Sequence, residues 1–233
     1  MTSNNGLWIV FLGAPGCGKG TQAESLISEN NFTVICVGDI LRNSKGKVVQ
    51  EFGKTVGELV DAGILLPDDV ISNFVRDELK KISNVASKNI LFDGFPRTLG
   101  QAEALSKLSE EFGKSISKVL NFVIDDEVIF KRILGRYKCA KCGKIYNDFF
   151  LKPKVDNTCD VCGGNEFSRR ADDNKESLQK RLSEYYEKTR PLIDFYLRLN
   201  VLCDVKADVC SDARMNIMKV RSSILEVLDL NEN

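Results

Sequence analysis

The sequence predicts an α/β protein: a doubly wound, parallel five-stranded sheet interrupted by two inserted subdomains. Three observations carry that prediction. Five short apolar segments rich in β-formers alternate with helical patterns. A glycine-rich turn with a lysine joins the first of these segments to the first helix. Two stretches, 38–66 and 136–173, break the alternation and are too long to be simple connections.

The strands are expected at "LWIVFLG" (7–13), "TVICV" (33–37), "NILFDGF" (89–95), "KVLNFVID" (118–125) and "NVLCDVKA" (200–207). Continuous apolar runs suit strands covered on both faces, the situation of a parallel sheet with helices above and below. Helices are expected over 21–29, 98–111, 126–135, 174–199 and 211–228. Residues 38–66 look helical and end at "GILLPDD", whereas 136–173 carry cysteine pairs, Lys/Gly turns and short β-like runs such as "KIYNDFF". In such a sheet ligands lie at the carboxyl ends of the strands, so both insertions are expected over its mouth.

Composition prunes the chemistry. The 233 residues hold 33 Lys plus Arg against 33 Asp plus Glu, a formal net charge of zero. That balance argues against bulk nucleic-acid or membrane-surface binding. No apolar run approaches the roughly 18 residues of a membrane span. The start reads as a first strand, not a signal peptide, and a cytoplasmic protein is expected. Histidine is absent, so any general base or metal ligand must be another residue type.

"FLGAPGCGKGTQ" (11–22) contains G-x4-G-K at Gly13–Lys19, between a predicted strand and a predicted helix. That context is what a phosphate-binding loop requires. Successive backbone N–H groups point into one concavity, the helix N-terminus adds partial positive charge, and Lys19 reaches terminal phosphates. The bland alternative, a tight turn without a ligand, leaves the lysine unexplained. The usual motif continues with Ser or Thr after the lysine; here Gly20 stands there and the hydroxyl comes one residue later, at Thr21.

Eight cysteines divide by spacing. Cys139, Cys142, Cys159 and Cys162 form C-x2-C, sixteen residues, C-x2-C, with glycine after the second cysteine of each pair. Disulfides or plain buried thiols are the rivals, but this pattern in a chain of this length reads as a metal site. Four thiolates around Zn²⁺ make a closed tetrahedron, so the ion is structural, one per chain. A segment of about forty residues with little core of its own needs such a staple. The remaining cysteines, Cys17, Cys36, Cys203 and Cys210, read as inert.

The form "GAPGCGKGTQ" resembles the loop of adenylate kinases and their nucleoside monophosphate kinase relatives, and the resemblance covers essentially the whole chain. "GDILR" (38–42), "DGFPRT" (93–98) with Gln101, "RILGR" (132–136), "RRADD" (169–173) and "QKRL" (179–182) follow in that family's order. Many bacterial members carry a zinc site of matching spacing in their lid. The resemblance implies a P-loop core of 1–35, 67–135 and 174–233, a helical NMP-binding insertion at 36–66, and a zinc-binding lid at 136–173.

It also implies the reaction, reversible transfer of the terminal phosphate of ATP to AMP giving two ADP, with Mg²⁺ accompanying the nucleotide and a monomer as the working unit. Gly16, Cys17, Gly18, Lys19, Gly20 and Thr21 would bind ATP, with Arg132, Arg136, Ile145, Tyr146 and Val209. AMP would meet Val37, Arg42, Ile64, Leu65, Leu66, Gly94, Phe95, Pro96, Arg97 and Gln101, with Arg170 and Arg181 bridging both phosphate chains. The catalytic set would be Lys19, Arg97, Arg132, Arg136, Arg170 and Arg181, and Asp93 would hold Mg²⁺ through water. Bottom-up chemistry agrees: phosphoryl transfer needs positioning and charge neutralisation, which guanidinium forks supply. An ionised phosphate acceptor needs no general base, so the missing histidine is no obstacle.

One position departs from the family pattern: Val37 stands where Thr or Ser usually precedes "GD", so a hydroxyl contact to the acceptor is missing. A relative using GTP as donor or UMP or CMP as acceptor is the near rival; the long lid argues against the latter group and Gln101 for adenine. A GTPase-like switch would need an N-K-x-D motif, which is absent. A nucleic-acid-binding zinc ribbon fits poorly with neutral charge. The two insertions are expected to close over bound nucleotides, hinging near Val37, Pro67, Gly135 and Asp173.

Overall fold

In the computed structural model, residues 6–50, 52–61, 66–170, 173–208 and 212–231 are described. The chain runs β1 (Trp8–Gly13), α1 (Lys19–Asn30), β2 (Phe32–Cys36), α2 (Val37–Asn43), β3 (Val48–Val49), β4 (Lys54–Thr55), α3 (Val56–Asp61) and α4 (Asp68–Lys80). It continues through β5 (Asn89–Asp93), α5 (Leu99–Glu111), β6 (Lys118–Val123), α6 (Asp126–Leu134), β7 (Arg136–Cys139), β8 (Ile145–Asn147) and β9 (Phe167–Ser168). The last elements are α7 (Lys175–Glu184), α8 (Leu192–Arg198), β10 (Leu202–Lys206) and α9 (Ala213–Val227).

The central sheet has five parallel strands in the order β10-β6-β1-β5-β2. β1 lies in the middle and all six of its residues are buried, which is why it reads as an unbroken apolar run. Alternate residues serve opposite cores. Trp8, Val10 and Leu12 join Ile90 and Phe92 beneath α4, α5 and α8. Ile9, Phe11 and Leu120 pack instead with Leu26 of α1 and Val220 and Ile224 of α9. The chain leaves β1 toward β2 and β5, then crosses to β6 and β10, so β1 marks the switch point where a doubly wound sheet opens a crevice.

Four of the five expected helices follow the sequence reading closely. Thr98 caps α5 by accepting from the Gln101 backbone N–H at 3.1 Å, and Asp212 caps α9 by accepting from Met215 at 2.7 Å. The fifth differs. The expected helix over 174–199 is broken, because Pro191 has no N–H to continue the ladder. The chain widens into a π-helical turn at Tyr185–Thr189, with Arg190 N–H reaching the Tyr185 carbonyl at 2.8 Å, before α8 begins. A further helix, α4, was not marked by the sequence reading. Pro67 followed by Asp68 and Asp69 is a helix-start signal as well as a turn, and Ile71, Val75 and Leu79 bury one stripe of it.

The expected insertions have their own small structures. α2 and α3 flank the β3–β4 hairpin, and their buried Val37, Ile40, Val56 and Leu59 join the core. Val37 opens α2 instead of ending β2, as the sequence had suggested. Residues 136–168 hold the antiparallel sheet β8-β7-β9. Its core is minute: Cys139, Tyr146 and Cys159 are buried, with Tyr137 and Phe167 packed on them.

Candidate functional site: an arginine-lined cleft and a four-cysteine cluster

Lys19 is the first residue of α1, and the turn before it is set by three glycines with positive φ: Gly13 at 146°, Gly16 at 80° and Gly18 at 109°. Two of these positions are also closed to side chains. A Cβ on Gly13 would lie 2.9 Å from Cys17 Sγ, and one on Gly16 would lie 2.7 Å from Ile133 Cγ1. Gly20, by contrast, faces open space. Lys19 Nζ donates to the carbonyls of Gly13 at 2.6 Å and Ala14 at 3.0 Å, which holds the ammonium across the loop's mouth. Cys17 is buried beneath it, with Nζ 3.3 Å from Sγ.

The loop opens into a cleft of about 1700 Å³ at the carboxyl ends of the strands. Of the residues singled out from the sequence, Gly16 to Thr21, Val37, Arg42, Leu66, Asp93, Gly94, Pro96, Arg97 and Gln101 line it. So do Arg132, Arg136, Ile145, Tyr146, Arg170 and Arg181. Phe95 does not: its ring is wholly buried in the core, so only its backbone belongs to the Gly94–Arg97 loop. Ile64, Leu65 and Val209 lie outside the described residues. Tyr146 reaches the cleft with almost no surface, because its ring stacks on Tyr137 at 5.8 Å and its hydroxyl serves the cysteine cluster.

The arginines are held in different ways. Arg136 pairs in bidentate fashion with Asp173, at 2.8 and 2.5 Å, and Arg181 approaches the same carboxylate at 4.0 Å. The Asp173 side chain is 2% exposed, so its carboxylate is a buried charge that fixes two guanidinium groups side by side. The sequence reading placed Asp173 at a hinge and missed this role; the two aspartates that follow two arginines in "RRADD" were only a weak signal of ion pairing. Arg132 donates to the Cys17 carbonyl at 3.0 Å and the Ala207 carbonyl at 2.8 Å, tying the glycine loop to the end of β10. Burial lowers its pKa from the ordinary value. Its guanidinium is thus engaged with backbone at the edge of the cleft, where the sequence reading expects it to face ATP.

Across the cleft, Arg42 pairs with Asp39 at 2.5 Å, and the Arg97 Nε–H donates to the Gly94 carbonyl at 2.9 Å. Burial works to raise the Asp39 carboxyl pKa, but hydrogen bonds from Arg42 and the Cys36 thiol, with the charges of Arg42 and Arg170, hold it below the ordinary range. The field of Arg170 therefore reaches across from the 136–173 segment to α2. Asp93 ends β5 beside Cys36, whose thiol is pushed up to about 11 by burial and then by the Asp93 charge. Gln101 is 6% exposed, and its amide bonds to the Arg97 backbone and to Asp68. The sequence reading passed over Asp68.

The cysteine quartet converges as its spacing predicts. The four Sγ atoms lie within 4.8 Å of one another, with Cys139 to Cys162 at 3.6 Å and Cys142 to Cys159 at 3.5 Å. Four sulfurs bonded at about 2.3 Å to one tetrahedral ion stand about 3.8 Å apart, so the donor set fits Zn²⁺ or a similar thiophilic ion. Each pair is wound on an identical turn: Gly143 N–H bonds to the Cys139 carbonyl and Gly163 N–H to the Cys159 carbonyl, both at 2.9 Å. Gly143 and Gly163 have φ of 77° and 67°, which explains the glycine after each second cysteine. The Tyr146 hydroxyl donates to Cys159 Sγ at 3.4 Å, and this bond leads the effects that lower that thiol to about 6.

Known proteins share this arrangement's sequence. A family model described as adenylate kinase matches residues 11–201. The adenylate kinase of Paracoccus denitrificans is 41% identical over 221 residues, 95% of this chain and 96% of that protein. That of Thermosipho africanus is 41% identical over 222 residues, 95% and 98% of the two chains. That of Archaeoglobus fulgidus is 42% identical over 197 residues, 84% and 89%. With the glycine loop, the arginine-lined cleft and the cysteine quartet in place along the matched length, the chain belongs to the adenylate kinase family.

Proposed function

We propose that the chain catalyses reversible transfer of the terminal phosphoryl group of ATP to AMP, giving two ADP. The observation that carries this reading is one cleft lined at once by the glycine loop, by six arginines from three parts of the chain, and by Gln101. Transfer between two nucleotides gathers several negative charges around one phosphoryl group, and a ring of fixed cations is what that demands.

In this reading the loop amides of Gly16–Thr21 cradle the donor phosphates, and Lys19 exchanges its carbonyl partners for phosphate oxygens. Arg132 and Arg136 serve the donor, Arg42 and Arg97 the acceptor phosphate, and Arg170 and Arg181 the group between them. Asp173 holds Arg136 and Arg181 together, so two cations reach the reacting centre already oriented. Ile145, Tyr146 and Val209 flank the donor base; Val37, Ile64, Leu65, Leu66 and the Gly94–Pro96 backbone flank the acceptor, with Gln101 on its base. The acceptor oxygen is already ionised and attacks without a general base. Mg²⁺ with the nucleotide would neutralise phosphate charge, and Asp93, at the carboxyl end of β5 and on the cleft wall, suits an outer contact to it.

The reading divides the chain into a core of 1–35, 67–135 and 174–233, an acceptor-binding insertion at 36–66 and a lid at 136–173, the lid stapled by one Zn²⁺ on Cys139, Cys142, Cys159 and Cys162. It takes a monomer as the working unit, because one chain lines both halves of the cleft. A coupled ADP-formation assay across nucleoside triphosphates and monophosphates tests it. ATP with AMP is expected to be the best pair; faster turnover with GTP as donor, or with UMP or CMP as acceptor, would overturn it.

A further inference from the structure

Gln101 is a glutamine with almost no freedom. Its Oε1 accepts from the Arg97 backbone N–H at 2.8 Å, and its Nε2 donates to Asp68 Oδ1 at 2.8 Å. The other oxygen of Asp68 accepts from Thr98 Oγ1 at 2.6 Å. Gly100 lets the carboxylate come this close, since a Cβ there would lie 2.8 Å from Asp68 Oδ2. Neither partner of the amide can reverse its role, because a backbone N–H only donates and a carboxylate only accepts. Turning the amide over would set N–H against N–H and oxygen against carboxylate.

The clamp leaves one N–H and one lone pair of Gln101 for a ligand, in a set order. A 6-aminopurine presents a donor at its amino group and an acceptor at N1; a 6-oxopurine presents the reverse, an acceptor at O6 and a donor at N1. An unclamped glutamine satisfies either by rotating its amide about the last bond. A clamped one satisfies a single pattern and leaves buried groups unpaired with the other.

We propose that Asp68 is a specificity-determining residue of the acceptor site: by locking the orientation of the Gln101 amide, it makes the site select 6-aminopurine over 6-oxopurine nucleoside monophosphates. This rests on the reading of Gln101 as the group that meets the acceptor base. Asp68 acts through Gln101 and is a positioning residue.

The test is kcat/KM of the full-length enzyme with AMP and with inosine monophosphate as acceptors, at fixed ATP, for the parent, Asp68→Asn and Gln101→Ala. Asparagine keeps the shape of Asp68 but can meet the Gln101 amide in either orientation, so only the Arg97 backbone N–H still opposes its turning and the lock is halved. The AMP to inosine monophosphate ratio is expected to fall about tenfold or more in Asp68→Asn, the equivalent of one buried mismatched hydrogen bond. A loss that is equal for both acceptors, with the ratio unchanged, would reduce Asp68 to a structural role and overturn the proposal. Gln101→Ala separates the two ideas: a ratio unmoved by it refutes the base-reader assignment itself, whereas a ratio that collapses there but not in Asp68→Asn refutes only the clamp. Should Asp68→Asn not fold, side-chain amide exchange of Gln101 in the parent protein decides. Protection of the Nε2 hydrogen that Asp68 accepts is expected, and exchange of both hydrogens at the rate of a free glutamine would overturn the clamp.

Discussion

Lys19 and Arg97 act on phosphate charge and contribute little to packing, so removing either side chain separates chemistry from stability. Lys19→Ala or Arg97→Ala is expected to lower kcat by roughly 10²–10³, the usual loss for one preorganised charge donor, with little change in melting temperature. A variant of either with near-normal kcat would remove that residue from the mechanism. Gln101→Ala is expected to raise the AMP KM more than the ATP KM, and equal effects would undo its assignment to the acceptor. These residues were legible because their motifs carry them. Asp173 and Asp68 were not, since each matters through a partner distant in the chain or through a buried geometry: Asp173 meets Arg136 across 37 residues and Asp68 meets Gln101 across 33.

At the level of elements, the four-cysteine sheet has almost no core of its own, having Tyr146 as its one large fully buried side chain among the described residues. Elemental analysis is expected to give one zinc per chain. Stripping it should lower the melting temperature by at least about 5 °C, and activity at low temperature should survive longer than thermal stability. No zinc, or disulfides within 139–162, would overturn the site. The root of this segment is packed just as closely. A Cβ on Gly135 would lie 2.6 Å from Phe149 Cδ2 and 2.8 Å from Asn147 Oδ1. Asn147 is the residue whose Nδ2 caps the Arg132 carbonyl at the end of α6, at 2.8 Å. Gly135→Ala should therefore cost about 1–3 kcal/mol by overpacking, read as a lower urea midpoint. An unchanged midpoint would mean that Phe149 yields freely. The sequence reading placed a hinge near Gly135; only the packed structure reveals that a side chain has no space there.

For the whole molecule, the decisive relation is between the two insertions and the core. Asp160, between the two cysteines of the second pair, lies 3.6 Å from Arg214 at the start of α9, and the charge of Lys144 acts on Glu24 of α1. The ion pair and this charge effect link the 136–168 segment to α9 and α1. Phosphoryl transfer must exclude water, so a nucleotide spanning both halves should draw the segments together. A bisubstrate mimic is expected to protect 38–61 and 136–168 from hydrogen exchange far more than β1 or β6, whose amides are already buried. Indifference of 136–168 to such a ligand would sink the lid assignment.

The sequence by itself determined the strands, the glycine loop, the four-cysteine cluster and the arginine set. Each of these is written locally: apolar runs specify buried strands, glycines supply positive φ and close approach, and cysteine spacing specifies a knuckle. Tertiary structure alone decided that Pro191 breaks a helix into a π-helical turn whose Thr189 donates to the Arg97 carbonyl at 2.9 Å. It alone decided which carboxylate steadies which guanidinium, and which way the Gln101 amide faces. Those choices depend on hydrogen-bond partners brought together across tens of residues, and a linear pattern has no means of recording a distance in space.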